Sequence, residues 1–199
     1  MTFFFTSDLH FGHVNIIDYC DRPFSDVDDM NDALVQRWNW MVGPADTVFV
    51  LGDVAMGKLD DSLKHVERLN GDKYLIPGNH DRCWLGNAKE GRDIRPKDIQ
   101  RYIDVGFTIL GSSDRLHGVF DVPVELCHFP FSGDSREEDR YRMWRPIDHG
   151  QILLHGHTHS KEHANGRQIH VGVDAWNYYP VHQDTIADII HDINLGVYE

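Results

Sequence analysis

Short runs of apolar residues alternate along the chain with segments in which apolar residues recur every three to four positions. The runs predict β-strands, and the spaced segments predict amphipathic helices. Strands are expected at residues 3–6, 47–51, 73–76, 107–110, 116–120, 122–126, 152–154 and 168–173. Helices are expected from a cap at Ser25 or Asp26 to about Met41, and over residues 59–69 and 186–193. The result is an alternating β/α order whose second half is richer in strands.

Two stretches, residues 82–97 and 131–150, fit neither pattern. Long loops in compact domains often carry function, so these stretches are expected either to shape specificity or to be solvated insertions of mixed charge. The chain has 199 residues and shows no repeat or linker. Such a length is typical of one domain, and a single domain over residues 1–199 is predicted.

Acidic residues outnumber basic ones, with 32 Asp and Glu against 19 Lys and Arg, and the formal net charge is −13. A surface of this kind repels polyanions, which argues against extended nucleic acid as a partner. A small anionic substrate would therefore need a local positive centre.

Three cysteines without CxxC spacing argue against a disulfide framework and against a thiolate zinc site. The N-terminus lacks the basic start and the apolar stretch of a signal peptide. No segment approaches the roughly 20 apolar residues of a membrane span. We therefore expect a cytoplasmic protein without a membrane partner.

Histidine is unusually frequent, with 14 residues, and five clusters of polar residues stand at the ends of apolar runs. The clusters are Asp8-Leu-His10, Gly52-Asp53, Gly78-Asn79-His80-Asp81, His128 and Gly156-His157-Thr-His159. Residues two apart on an extended chain point to the same side, so the first and last clusters can each present two ligands to one centre. Ligand sites of α/β sheets lie beyond the carboxyl ends of strands, where these clusters fall.

The five blocks, in this order, resemble the signature of the calcineurin-like metallophosphoesterases: Asp-x-His, Gly-Asp, Gly-Asn-His-Asp/Glu, a lone His, and Gly-His-x-His. Residues 5–13 and 19–24 are also similar to a compact bacterial and phage branch of predicted phosphoesterases. The resemblance implies an α/β fold, a four-layer αββα sandwich with mixed sheets, and two metal ions at the sheet edge.

The resemblance also implies a ligand set for the two divalent ions. One ion would take Asp8, His10 and His159, the other would take Asn79, His128 and His157, and Asp53 would bridge them. All the donors are oxygen or imidazole nitrogen. We expect Mn²⁺ as the metal, with Fe, Zn²⁺, Ni²⁺ or Mg²⁺ as the alternatives.

By the same resemblance, a metal-bound hydroxide is the nucleophile, His80 faces the leaving group, and Asp81 orients His80 or helps to hold its charge. Contacts to substrate are predicted for Arg22, Arg82 and His13, and the arginines of the 136–145 segment are further candidates for binding phosphate oxygens. Guanidinium geometry suits phosphate, although surface ion pairs would also explain the arginines, and a polar position near a helix start would explain His13.

The favoured function is hydrolysis of a small phosphodiester or nucleotide, because a compact chain leaves little room for a peptide-binding groove. One alternative is a metallonuclease acting on DNA or RNA, which the net charge disfavours. Another is a non-catalytic protein-binding scaffold of the same fold, which the presence of His80 and of the full ligand set disfavours. Four aromatic residues fit either base stacking or core packing: Tyr141, Trp144, Trp176 and Tyr178.

Overall fold

The computed structural model describes residues 1–88, 93–136, 138 and 140–198 and contains two five-stranded sheets. The strands are β1 (Phe3–Thr6), β2 (Thr47–Val50), β3 (Asp72–Leu75), β4 (Phe107–Ile109), β5 (Ser113–Leu116), β6 (Val124–Cys127), β7 (Ile152–His155), β8 (Ala164–Asn165), β9 (Gln168–His170) and β10 (Val181–His182). The α-helices are α1 (Ile16–Tyr19), α2 (Val27–Met41), α3 (Leu59–Ser62), α4 (Pro96–Asp104) and α5 (Gln183–Asn194).

Both sheets are mixed. The first has the order β10-β1-β2-β3-β4, with β1 to β4 parallel and β10 antiparallel to β1. The second has the order β5-β6-β7-β9-β8, with β6, β7 and β9 parallel and both edge strands antiparallel. The predicted α/β class with two mixed sheets is confirmed.

Side chains of neighbouring strand residues enter different cores, as the pleat of a strand requires. Phe4 packs with Leu34 and Trp38 of α2 on the outer face of the first sheet. Phe5, on the opposite face, shares a cluster with Leu126 of the second sheet and with the apolar face of α5. The two sheets therefore enclose one core, and helices cover the first sheet from outside.

A third cluster covers the outer face of the second sheet. It contains Trp84, Cys127, Phe129 and Leu153, with the partly buried Phe131, Tyr141 and Trp144 packed against it. The aromatic residues open to two interpretations all lie in these clusters: Tyr178 in the first, Trp176 in the second, and Tyr141 and Trp144 in the third. Core packing is thus their role in the structure.

The side chain of Asp26 accepts hydrogen bonds from two backbone N–H groups of α2, so the predicted cap is confirmed, and α2 ends at Met41 as expected.

The helix expected over 59–69 is instead a single α-turn followed by the 3₁₀-helix Leu63–Arg68. A 3₁₀-helix aligns residues three apart, which places both Leu63 and Val66 in the core.

Several strand bounds differ from the prediction. The strand expected at 116–120 ends at Leu116, because the backbone turns at Gly118, whose φ is +76°. The strand expected at 168–173 ends at His170, and the 3₁₀-helix Val173–Ala175 follows it. Of the two stretches without a pattern, residues 89–92, 137 and 139 lie outside the described residues.

Helix α4 begins inside the first of these stretches and was not predicted. Pro96 occupies its start, where a missing N–H costs nothing, and Tyr102 is buried in the first core cluster. No helix in the described ranges is long and apolar enough to cross a membrane.

The carboxyl ends of the two sheets meet. Ser7, directly after β1, forms a parallel bridge with Gly172, which follows β9, and the Ser7 carbonyl accepts a 3.0 Å hydrogen bond from the Val173 N–H. The loops that leave β1, β2, β3, β6 and β7 therefore converge at one edge of the molecule.

Candidate metal centre

All seven predicted metal ligands lie in the converging loops at this edge. Asp8 and His10 follow β1, Asp53 follows β2, Asn79 follows β3, His128 follows β6, and His157 and His159 follow β7. The donor atoms of Asp8, His10 and His159 lie within 4.8 Å of one another, as do those of Asp8, Asp53 and His128. Asp8 is thus common to two groups, a sharing that the ligand assignment by resemblance did not include.

Asp53 belongs to the second group and also lies close to His10 of the first. Its Oδ2 atom is 3.7 Å from Nε2 of His10 and 3.5 Å from Nε2 of His128. The Asn79 Oδ1 atom is 3.2 Å from the same His128 nitrogen. His157 joins the second group through its ring, whose centroid is 5.2 Å from that of His128. The carboxylate of Asp53 can therefore serve both groups, as a bridging ligand does.

Five of the seven candidates have left-handed backbone conformations, which non-glycine residues adopt at a cost. Their φ values lie between 53° and 71°, at Asp8, His10, Asp53, His157 and His159. The β1 and β2 loops hold this geometry through hydrogen bonds from Asp8 N to Gly52 O and from His10 N to Asp53 O, each 3.0 Å long. Strain concentrated on ligand candidates is typical of a functional site.

Gly156 permits the β7 loop to approach the β1 loop closely. A Cβ atom at Gly156 would overlap the Ser7 hydroxyl and would lie 2.6 Å from Oδ2 of Asp8. With no side chain in the way, the His157 N–H donates a 3.0 Å hydrogen bond to the same Asp8 oxygen. The glycine therefore brings the second sheet's histidines against the first sheet's carboxylate.

Hydrogen bonds at Nδ1 orient two of the imidazoles. His128 Nδ1 lies 2.7 Å from the Leu51 carbonyl, and His159 Nδ1 lies 2.8 Å from Oδ2 of Asp174. In each case Nδ1 is assigned the proton by its acceptor, which leaves the Nε2 lone pair for a metal. Nε2 of His10 is buried without a hydrogen-bond partner among the described residues, whereas Nε2 of His157 lies 3.2 Å from Oδ2 of Asp134.

Burial has opposite effects on the pKa values of the carboxylates and of most of the imidazoles. It raises the pKa of Asp53 to about 7 and also raises that of Asp8, because a buried carboxylate loses hydration. It lowers the pKa of His10 and His128, which keeps these rings neutral, as metal ligation requires. The pKa of His159 is raised in spite of burial, chiefly by its hydrogen bond to Asp174. Imidazole donors, the buried carboxylates and the unpartnered Nε2 of His10 fit a pair of divalent cations.

His80 is placed at the open side of this centre. Its side chain is 40% exposed, and Nε2 lies 3.9 Å from Oδ2 of Asp53. Burial and the charges of neighbouring histidines lower the pKa of His80 to about 4. Its ring lines a cavity of about 590 Å³ together with Asn79 and Arg82.

His13 and Arg82 lie beside the centre, and their predicted contacts to substrate stay predictions. The His13 ring centroid is 6.3 Å from that of His80, and its Nδ1 is 3.3 Å from Nδ1 of His10. The side chain of Arg82 is exposed, while its backbone N–H donates to the hydroxyl of Tyr102.

The interpretation of Arg22 as a substrate contact is wrong for this structure. Arg22 is buried, and its Nε and Nη2 atoms each donate a 2.9 Å hydrogen bond to the carboxylate of Asp174. Further hydrogen bonds from Nη1 and Nη2 reach the carbonyls of Leu9 and Asp8, at 3.1 and 2.8 Å. The guanidinium faces inward because it holds the β1 loop from behind.

The predicted contact of Asp81 with His80 is also wrong. The buried Asp81 carboxylate accepts hydrogen bonds of 2.8 to 3.0 Å from the backbone N–H groups of Asp53, Val54 and Gly78. The Tyr102 hydroxyl donates to it at 3.3 Å. Asp81 therefore joins the loops after β2 and β3, and it positions Asp53 rather than the ring of His80.

Three residues near the centre were not predicted. Asp174 holds both Arg22 and His159, and Cys20 offers a thiol within 4.8 Å of the donor atoms of His159 and Asp174. Asp134 lies 3.2 Å from Nε2 of His157. Asp174 follows β9, so the same argument from strand ends could have identified it, whereas Cys20 and Asp134 stand in no recognisable spacing.

The sequence matches a family model described as calcineurin-like phosphoesterase over residues 1–161. The gene 66 protein of Mycobacterium phage L5 is 36% identical to this chain, over 96% of the chain and 94% of the relative. The gene 66 protein of Mycobacterium phage D29 is 38% identical, over 97% and 98%. An uncharacterized protein of Methanocaldococcus jannaschii is 31% identical, over 92% and 88%.

A crystal structure of a protein of unknown function from Aquifex aeolicus has a similar fold. It superposes with a TM-score of 0.68 and covers 94% of this chain and 98% of its own, at 23% sequence identity. At this identity the likeness shows the fold alone.

Proposed function

Because the chain belongs to the calcineurin-like phosphoesterase family, whose members are metal-dependent hydrolases of phosphoesters, we propose that it hydrolyses a small phosphodiester or nucleotide. The observation that carries the proposal is the convergence of buried carboxylates and imidazoles beside the exposed ring of His80. Asn79 and His80 line a cavity of about 590 Å³, so a substrate can reach this side of the centre.

The residues present would hold two divalent cations, with Mn²⁺ as the proposed metal. One cation would be held by Asp8, His10 and His159, and the other by Asn79, His128 and His157, with Asp53 shared. When bound, a pair of such ions supplies a hydroxide nucleophile at neutral pH and neutralises the charge of the phosphoryl group.

Residues of the chain would orient the substrate and assist the leaving group. The His80 ring is neutral at physiological pH, and its N–H can donate a hydrogen bond to the leaving-group oxygen. The backbone N–H of His80 donates a 2.9 Å hydrogen bond to Oδ1 of Asp53, so the loop that carries the ring also holds the shared carboxylate. Substrate orientation and metal binding are therefore properties of one loop.

The size of the cavity favours a small substrate. At about 590 Å³ it falls within the range of pockets that enclose nucleotide-sized ligands. Its lining includes Arg82 and Arg95, which suit the anionic part of such a substrate, and also Asp93 and Asp98. The acidic residues, like the net charge of −13, disfavour a long polyanion.

The test measures hydrolysis of bis(p-nitrophenyl) phosphate and of p-nitrophenyl phosphate by protein loaded with Mn²⁺, together with metal content by mass spectrometry. We expect turnover with Mn²⁺ and none after chelation. Asp53→Asn should lose both ions together, because one carboxylate serves both groups of donors. Asp114→Asn, an exposed position on β5, is the matched control and should keep both ions. Inactivity of the fully loaded protein on every phosphoester in a panel of mononucleotides, cyclic nucleotides and dinucleotides would contradict the proposal.

A further inference from the structure

Asp134, in the stretch without a predicted pattern, lies at the centre of a charged cluster beside the metal centre. Its carboxylate is buried, with Oδ2 3.2 Å from Nε2 of His157 and Oδ1 2.6 Å from Nη2 of Arg140. The backbone N–H of Arg140 donates a further 3.1 Å hydrogen bond to Oδ2. Nη2 of Arg145 lies 3.6 Å from the same oxygen. Asp134 therefore ties this loop to a predicted metal ligand.

Arg140 is connected to the metal centre through Asp134. Its Nη2 atom donates a 2.6 Å hydrogen bond to Oδ1 of Asp134, and Oδ2 of the same carboxylate lies 3.2 Å from Nε2 of His157. The side chain is only 25% exposed, and its guanidinium lies 5.2 Å from the ring centroid of Tyr141. Its Nε atom is buried and has no hydrogen-bond partner among the described residues.

We propose that Arg140 is a substrate-binding residue that donates hydrogen bonds to the phosphoryl oxygens, and that Asp134 is the positioning residue that holds its guanidinium. This proposal rests on the function proposed above and assigns a residue that the family signature does not contain. The chemical class of ligand is a tetrahedral oxyanion, either inorganic phosphate or the phosphoryl group of an ester.

The geometry favours Arg140 over Arg22 and Arg82, the two other arginines considered from the sequence. Arg22 is buried behind the β1 loop, where its donors are used by Asp174 and by two carbonyls. Arg82 is exposed, and among the described residues no carboxylate pairs with its side chain to fix its direction. In Arg140, by contrast, the carboxylate of Asp134 fixes Nη2, and the side chain stays 25% exposed, so the guanidinium is held in one direction and can still be reached by an oxyanion.

The experiment titrates inorganic phosphate into Mn²⁺-loaded protein by calorimetry and measures bound metal in the same samples. Arg140→Ala should weaken phosphate binding by about 10- to 100-fold, as expected for the loss of charge-assisted hydrogen bonds, while its metal content stays unchanged. The phosphate affinity of Arg140→Lys should fall between those of the wild type and the alanine variant, because an ammonium keeps the charge but not the planar donor geometry of a guanidinium. Arg167→Ala, which removes an exposed arginine from the turn before β9, is the matched control.

The role of Asp134 is tested by a double-mutant cycle on the same titration. Asp134→Asn should weaken phosphate binding by itself, whereas Asp134→Asn combined with Arg140→Ala should bind phosphate no more weakly than Arg140→Ala alone. A purely structural effect of Asp134 would instead add to that of Arg140 and would lower the melting temperature.

The outcomes separate this inference from the proposed function. If the wild type binds phosphate and Arg140→Ala binds it equally well, or if Arg140→Ala loses metal, the direct contact is overturned and the proposed function stands. If Arg140→Ala does not fold, the result with Arg140→Lys decides. A lysine variant that binds phosphate as tightly as the wild type overturns the proposed hydrogen bonds from the guanidinium. A fully loaded wild-type protein that neither binds phosphate nor hydrolyses any phosphoester overturns both.

Discussion

His80 contributes to the centre in two separable ways. Its backbone N–H holds Oδ1 of Asp53, and its ring faces the cavity without a hydrogen bond to a ligand among the described residues. A substitution that keeps the backbone therefore removes the ring's chemistry and leaves the shared carboxylate in place.

For this reason His80→Asn should retain both metal ions and lose turnover. The loss should be about 10²-fold or more on an ester with a poor leaving group, where assistance to the leaving oxygen matters most, and smaller on a p-nitrophenyl ester. Turnover on the two kinds of substrate, measured beside metal content, tests the expectation. Equal rates of variant and wild type on the poor leaving group would remove the ring from the mechanism.

Spacing along the chain indicated that the polar clusters follow apolar runs, and the family resemblance predicted which of their side chains would meet at the centre. Neither could predict what Asp81 and Arg22 touch. Asp81 belongs to a motif, yet its carboxylate binds backbone groups that come from two loops. Arg22 binds Asp174, which is 152 positions away, and no local pattern carries information on a contact of that range.

At the scale of elements, the pair of Arg22 and Asp174 connects the turn after α1 with the 3₁₀-helix that follows β9. Both side chains are buried. Burial alone would raise the pKa of Asp174, but the hydrogen bond from His159 and the charge of Arg22 lower it to about 2. The carboxylate therefore stays ionised and depends on its partners.

We accordingly expect Arg22→Ala to lower the free energy of unfolding by about 3–5 kcal/mol, since it leaves a buried carboxylate without its cation. Chemical denaturation of the purified protein measures this change. Arg68→Ala is the control, because Arg68 forms a 2.8 Å pair with Asp32 at the surface, where such a loss is about 0–1 kcal/mol. Equal effects of the two substitutions would show that the buried pair has no special weight.

The strands of the first sheet were predictable because parallel strands buried on both faces appear as short apolar runs. Elements with weaker patterns were not. Helix α4 combines a proline start with few apolar positions. Its one fully buried apolar side chain, Tyr102, donates a hydrogen bond to Asp81, which lies in the loop after β3. The 3₁₀-helix Leu63–Arg68 has helical spacing, so the choice between the two helix types depends on tertiary packing.

At the scale of the whole molecule, the ligand candidates come from both sheets. The first sheet supplies Asp8, His10, Asp53 and Asn79, whereas the second supplies His128, His157 and His159. Bound cations would therefore link the two sheets and stabilise the fold, in addition to their proposed part in phosphoester hydrolysis.

Addition of Mn²⁺ should raise the melting temperature for this reason. At a free concentration of 100 times the dissociation constant, each ion adds about 2.7 kcal/mol, which corresponds to a shift of about 5–10 °C for a chain of this size. Differential scanning fluorimetry with and without Mn²⁺ measures the shift, and Asp53→Asn should show a smaller one. A melting temperature that does not respond to Mn²⁺ in the wild type would contradict a site shared between the sheets.

The anchor of the β1 loop is completed only by a residue that follows all seven ligand candidates in the sequence. Asp8 and Arg22 leave the ribosome early, but Asp174, which holds the guanidinium beneath the Asp8 carbonyl, emerges only after the histidines of the second sheet. A nascent chain therefore lacks this anchor until Asp174 has been synthesised, and we expect it to acquire its metal only after that point.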